Sequence, residues 1–311
     1  MHDFLNITVA FSIFVNKVNS FTPIVRISSS SILVGKKFYF FGGYTSKFSN
    51  EVFYLDVSQS FNSENQQWID LTPSSPIPFG SAFATVSLID DINPTIYLFG
   101  GFMVDSVSSK DIFESFVHKF NPQTLKWDIP KTNGQIPKRR RNVEAVKDNF
   151  GKFYIFGVAK NINMLSLMQI FLLQAQNDQI IICGGAVGDT FQVLNTQTTP
   201  FEWIIPQVSS NIGEIPSLVN HKATLVENYI IVAFGNITQQ NALPLGESSK
   251  IYLLDIRNYT WVNTFEPLET NSKIVVPNSQ TPSNTPDSPY NTLAKELSTM
   301  KIVISVISSL L

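Results

Sequence analysis

The sequence predicts an all-β chain built from a repeated unit. Three observations carry that expectation: an excess of phenylalanine, a series of apolar runs that each end in a glycine signal, and tryptophans placed at near-constant distances after those glycines. Phenylalanine occurs 25 times and, with 9 Tyr and 4 Trp, brings aromatics to 12%. Such side chains pack well on pleated sheets. Charged residues are only 15%, well under the roughly 25% of an ordinary soluble domain. With 22 Lys+Arg against 24 Asp+Glu the formal charge is -2, so no whole-molecule field draws in nucleic acid or an anionic membrane.

In chain order, residues 4–15 (FLNITVAFSIFV) form an apolar run that ends near Val18-Asn19-Ser20. This fits a secretory leader, residues 1–20, cleaved after Ser20, although His2 and Asp3 stand where such leaders carry Lys or Arg. The competing reading is a first buried strand. Five strand-like runs follow, each closed by a glycine: KFYFFGG with Gly42 and Gly43, TIYLFGG with Gly100 and Gly101, KFYIFGV with Gly157, QIIICGG with Gly184 and Gly185, and YIIVAFGN with Gly235. Continuous apolar runs of this length suit strands buried on both faces, and glycine permits the positive φ of a tight exit.

The tryptophans keep step. Gly42 to Trp68 is 26 residues, Gly100 to Trp127 is 27 and Gly235 to Trp261 is 26, while Gly184 to Trp203 is 19. From each Trp to the next glycine signal is 32 (68 to 100), 30 (127 to 157) and 32 (203 to 235) residues. A period in the fifties with one glycine exit and one Trp per unit marks a β-propeller blade.

On these motifs residues 22 to about 265 resemble the Kelch-repeat family and its galactose-oxidase-like superfamily. The resemblance includes an Arg or His opening a repeat, here Arg26, Arg141 and His221. It implies four-stranded antiparallel blades, with the glycine-ended strand near the central channel and the Trp strand further out.

One interval breaks the pattern. Gly157 to Gly184 is 27 residues, against 58 (42 to 100), 57 (100 to 157) and 51 (184 to 235). About half a blade is missing between Asn163 and Ile170, with IFLL read as a strand leading directly into QIIICGG. The expectation is an incomplete propeller of about four blades plus a truncated third unit, spanning 21–265.

Beyond it, residues 266–300 are rich in Pro, Ser, Thr and Asn and read as a linker or stalk. The apolar tail 301–311 is too short to span a bilayer alone. It reads as a truncated transmembrane segment, a short lipid-anchor signal or an incidental apolar end.

No catalytic, cofactor-binding or metal-binding residue is expected. The superfamily's copper-radical chemistry implies two His and two Tyr as ligands, with one Tyr cross-linked to Cys. Here His2 lies in the leader, His118 and His221 fall in different repeat phases, and Cys183 sits within an apolar strand. Glu114 with His118 lacks the Asp of the iron motif found in some Kelch proteins, and Asp90-Asp91 reads as a solvated loop pair. No P-loop, Rossmann glycine pattern or nucleophile elbow occurs.

The basic run Lys138 to Arg141 reads as structural or surface. Asn6 lies in the leader, while Asn236 (N-I-T) and Asn258 (N-Y-T) are glycosylation acceptors if the chain is secreted. The expected function is a non-enzymatic extracellular or cell-surface module whose propeller loops meet a protein or carbohydrate ligand, with a possible membrane tether and no nucleic-acid partner. The alternatives are an intracellular Kelch scaffold and a degenerate oxidase.

Overall fold

A computed structural model describes residues 21–89, 92–148, 151–158, 170–174, 179–184, 191–238 and 245–268. The leader, the tail, Asp90-Asp91, Gly185 and nearly all of the stalk lie outside these residues. Every regular element described is a strand.

The first blade is Ser30–Val34, Lys37–Phe41, Val52–Asp56 and Trp68–Asp70, paired antiparallel in that order. The second is Thr85–Leu88, Ile96–Phe99, Val117–Asn121 and Lys126–Asp128. The third unit has two strands, Arg141–Lys147 and Phe153–Val158. The fourth blade is Ile170–Gln174, Gln179–Gly184, Gln192–Asn195 and Glu202–Ile204. The fifth is Lys222–Val226, Tyr229–Ala233, Ile251–Asp255 and Thr260–Val262, with Ser209–Ser210 added parallel at its outer edge. Four blades and a truncated third unit are therefore present, and IFLL is a strand paired to QIIICG.

Hairpin chemistry opens the blades. Gly35, at φ 58°, and Glu227, at φ 54°, begin the two-residue turns Gly35-Lys36 and Glu227-Asn228. Positive φ at this position matches the twist of the flanking strands.

The first strand of each unit lies innermost, one position inside the glycine strand. Ser30–Val34 packs beside Thr85–Leu88 and Lys222–Val226, Thr85–Leu88 beside Arg141–Lys147, and Ile170–Gln174 beside Lys222–Val226. Composition explains the shift. The first strands carry Ser30, Ser31, Thr85, Lys222 and Thr224, polar groups suited to an axis; Lys222 and Glu144 meet there at 3.9 Å.

Past Lys37, the glycine strands of the first and fifth blades are apolar and buried throughout, because neighbouring blades cover both faces. Phe38 and Phe40 join Tyr229, Ile231 and Leu253 between the first and fifth blades. The alternate residues Tyr39 and Phe41 join Val86, Leu98 and Phe120 between the first and second. Phe99 turns to Val143 and Phe153 of the third unit, while Ile230 and Val232 turn to Ile181 and Val193 of the fourth blade. Each fully buried Phe contributes about 1.5–3 kcal/mol relative to exposure.

The tryptophans follow the same geometry. Trp68 meets Phe40 edge-on at 5.5 Å in the core shared with the fifth blade. Trp127 lies 5.9 Å from Phe41 of the first blade, and Trp261 lies 5.9 Å from Phe191, which leads into the fourth blade's third strand. Each faces the preceding blade of the ring. Trp203 occupies the same place in the fourth blade, but among the described residues the unit before it has only two strands, and Trp203 is 49% exposed where Trp68 and Trp261 are each 7% exposed.

Trp68→Ala is therefore expected to cost about 3–5 kcal/mol, a fall of roughly 10 °C in Tm for a domain of this size. Trp203→Ala should cost less than about 1 kcal/mol. Calorimetry of both variants would check the contrast, and equal losses would contradict it.

The last blade is fastened to the first. Gly235 N donates to Arg26 O at 2.9 Å and Ser28 N to Asn220 O at 2.9 Å. Thr264–Phe265 pairs with Phe61–Asn62, and Phe61 stacks on Phe265 at 5.0 Å.

Candidate interaction surface

The glycine exits build one face of the propeller. Gly43 N donates to Ser81 O (2.7 Å) and Gly101 N to Arg140 O (2.8 Å), so these exits, like that at Gly235, hydrogen-bond the segment that opens the next unit of the ring. Short pairings continue outward from them: Gly80–Ala82 with Phe102–Val104, and Ser217–Val219 with Asn236–Thr238, which also pairs with Gly246–Glu247. In the fifth blade Gly235 holds the second place of the doublet, and the first place is taken by Phe234 at φ 62°.

Buried cations hold this face from below. The Arg26 guanidinium donates to Gly42 O (2.9 Å) and Ile24 O (3.1 Å) and pairs with Glu51. Burial lowers its pKa, and the Glu51 carboxylate opposes that shift.

The geometric counterpart in the third unit is Arg140, which donates to Gly157 O at 3.1 Å. Arg141, expected in that role, instead lies over the Phe102 ring at 3.8 Å. Arg139 pairs with Asp111 and donates to Ile112 O at 2.5 Å. The basic run is thus committed residue by residue to structural contacts, with exposed Lys138 at its start. His221 is buried, with Nδ1 3.0 Å from Leu218 O, and desolvation pushes its pKa down to about 4.

Above this layer one loop tip is rigidly built. Asp105 Oδ1 accepts from Val107 N (3.2 Å), Ser108 N (2.6 Å) and Ser108 Oγ (2.7 Å). The Ser108 bonds are the main reason its carboxyl titrates below the ordinary range. This turn presents Val107 92% exposed at its apex. Sequence reading did not single out this loop; its one local signal is the run Asp-Ser-Val-Ser-Ser, whose first residue favours a side-chain-capped turn.

His118 and His221, weighed as copper ligands, stand in the second blade and at the start of the fifth. Cys183 lies in the second strand of the fourth blade. Among the described residues no three His, Cys, Asp or Glu side chains gather within metal-binding reach. No helix among the described residues is long and apolar enough to cross a membrane. Asn258 lies exposed in the turn before Thr260–Val262, whereas Asn236 is half-buried in a strand.

Residues 5–179 match the model of the KLHDC2/KLHL20/DRC7 Kelch-repeats domain. The chain belongs to the Kelch-repeat family. Kelch domain-containing protein 3 of Bos taurus is 31% identical over 142 residues, covering 42% of this chain and 34% of that protein. Its Homo sapiens counterpart is 29% identical over 138 residues, covering 41% and 32%. Kelch repeat-containing protein 2 of Saccharomyces cerevisiae is 27% identical over 139 residues, covering 44% and 15%. This Kelch chain thus spans about a third or less of the length of these curated relatives. Among solved structures, that of YjhT aligns with a TM-score of 0.44 at 17% identity, covering 78% of this chain and 84% of that one.

Proposed function

We propose that this Kelch domain is a non-enzymatic interaction module, extracellular or at the cell surface, that meets a protein or glycan ligand with the loops of its glycine-exit face. The observation that carries this reading is the ordered apolar tip at Val107, held by the Asp105 turn above a layer of blade-to-blade hydrogen bonds. A rigid scaffold with exposed loop tips is the usual arrangement for recognition. Cross-linking in the native cell should recover the same partner set with wild type and with Val107→Ile, and lose it with Val107→Glu. A partner set indifferent to Val107→Glu would move the contact surface elsewhere.

A second reading, an intracellular scaffold, is favoured by one observation: the family match begins at residue 5, inside the segment read as a leader. The sequons separate the two. In the secretory reading, Asn258 carries the glycan because its turn is exposed, and glycosidase treatment lowers the protein's mass in wild type but not in Asn258→Gln. Absence of any glycosidase-sensitive mass on the native protein would favour the scaffold.

A further inference from the structure

A cleft of about 470 Å³ opens beside the outer half of the second blade, lined by Pro78, Phe79, Ile112, Glu114, His118, Trp127, Asp128 and Ile129. Its volume falls in the range of small-ligand sites, which are mainly apolar with a few convergent polar groups. Phe79 comes from the segment after the first blade's outer strand, and His118 and Trp127 from the outer half of the second blade. His118 is 4% exposed, packs edge-on against Phe79 at 4.6 Å, and its enclosed Nδ1 has no hydrogen-bond partner. Enclosure without a partner pushes its pKa down to about 4, so the ring is neutral at physiological pH and does not repel a cation.

Two carboxylates stand at the rim. Asp128 holds Lys119 Nζ at 3.0 Å, while exposed Glu114 has no ion-pair or hydrogen-bond partner among the described residues. Trp127 anchors its indole on Ser75 O (3.4 Å) and leaves ring surface to the cleft.

We propose that this cleft binds a lysine side chain of a partner peptide, the aliphatic stem lying along Ile112, Ile129 and Trp127 and the ammonium meeting Glu114. The walls and rim match the two ends of such a side chain, which buries its methylenes while its head stays at a charged, wet edge. The Trp127 ring adds the attraction of an aromatic face for a cation. The inference rests on the interaction-module reading only in taking a peptide as the source of the cation.

The test uses the full chain labelled with 5-fluorotryptophan, which gives one fluorine resonance per Trp, the Trp127 signal being assigned with Trp127→Phe. Titration with Nα-acetyl-lysine N-methylamide should move the Trp127 resonance saturably, with about millimolar affinity for a ligand of this size, and leave those of Trp68 and Trp261 in place. The norleucine counterpart, which has the stem without the charge, should bind at least about tenfold more weakly, a factor worth one charged contact. Glu114→Gln should weaken the lysine amide to a similar degree while the remaining fluorine signals stay at wild-type positions, showing an intact fold. Any of three results overturns the proposal: no saturable movement of Trp127, equal response to norleucine, or wild-type affinity in Glu114→Gln. Loss of partners in Val107→Glu is read separately, so the loop face and the cleft can fail independently.

Discussion

Gly42→Ala should lower the Tm of the chain by roughly 10 °C, whereas the same change at Gly35 or Gly157 should be mild. Two costs coincide at Gly42. Its φ is 60°, a region that costs an L-residue about 1–2 kcal/mol. An added Cβ would also lie 2.3 Å from Ser81 O, a backbone atom already receiving the Gly43 N–H at 2.7 Å. No side chain can swing aside there, so the second blade's opening segment must move and the bond between blades is lost. The combined penalty is about 3–5 kcal/mol.

Gly35 isolates the backbone term, because at φ 58° its added Cβ meets nothing within 4 Å. Its alanine variant should lose only about 1 kcal/mol. Gly157 lies outside the positive-φ region, with nearest approaches of 3.2 Å to Arg140 Cβ and Arg141 O. Alanine there should change stability by less than about 1 kcal/mol, the lost space being offset by a less flexible unfolded chain. Denaturant titration of the three variants would measure the series, and a Gly42 loss no larger than the Gly35 loss would remove the close approach from the explanation.

The glycine series also shows how the fold is written in the sequence. Period, blade count and the broken third unit are all readable, because the glycine strands of the intact blades are buried on both faces and so stand out as nearly uninterrupted apolar runs. The strands lining the axis were not readable as such: Ser30–Val34 and Lys222–Val226 mix polar and apolar residues, and only the ring decides that their polar groups face inward. The opening arginine of the third unit was misplaced by one residue for a related reason. Arg139, Arg140 and Arg141 are chemically identical neighbours, and the choice depends on which guanidinium reaches Gly157 O across the hairpin, a matter of register that spacing does not resolve.

The half exposure of Trp203 could have been deduced from the short glycine interval, since 27 residues between Gly157 and Gly184 leave too little chain for the wall that a full preceding blade supplies. The cleft beside His118 could not. Its Phe79 wall comes from the segment joining the first two blades, 39 residues earlier in the chain, and nothing local to His118 announces it.

Arg26 should prove as costly to remove as the largest core side chains. It is fully buried, and its guanidinium serves three masters at once: the carbonyls of Gly42 and Ile24 and the Glu51 carboxylate. It also lies over the Phe53 ring at 4.6 Å and the Phe234 ring at 5.3 Å, which places it at the seam between first and fifth blades. Arg26→Ala leaves two carbonyls unsatisfied and a carboxylate half out of water, and should cost about 3–5 kcal/mol.

Arg26→Lys keeps the charge but not the planar fork, so it should recover only part of that loss. The decisive comparison is with Glu51. If the cost comes from stranding a charge, then Arg26→Met combined with Glu51→Gln should be more stable than the sum of the single losses predicts, by about 1–3 kcal/mol of coupling. Strict additivity in that cycle would mean that Arg26 acts through the Gly42 carbonyl and the aromatic seam alone, and that Glu51 contributes nothing to fastening the last blade to the first.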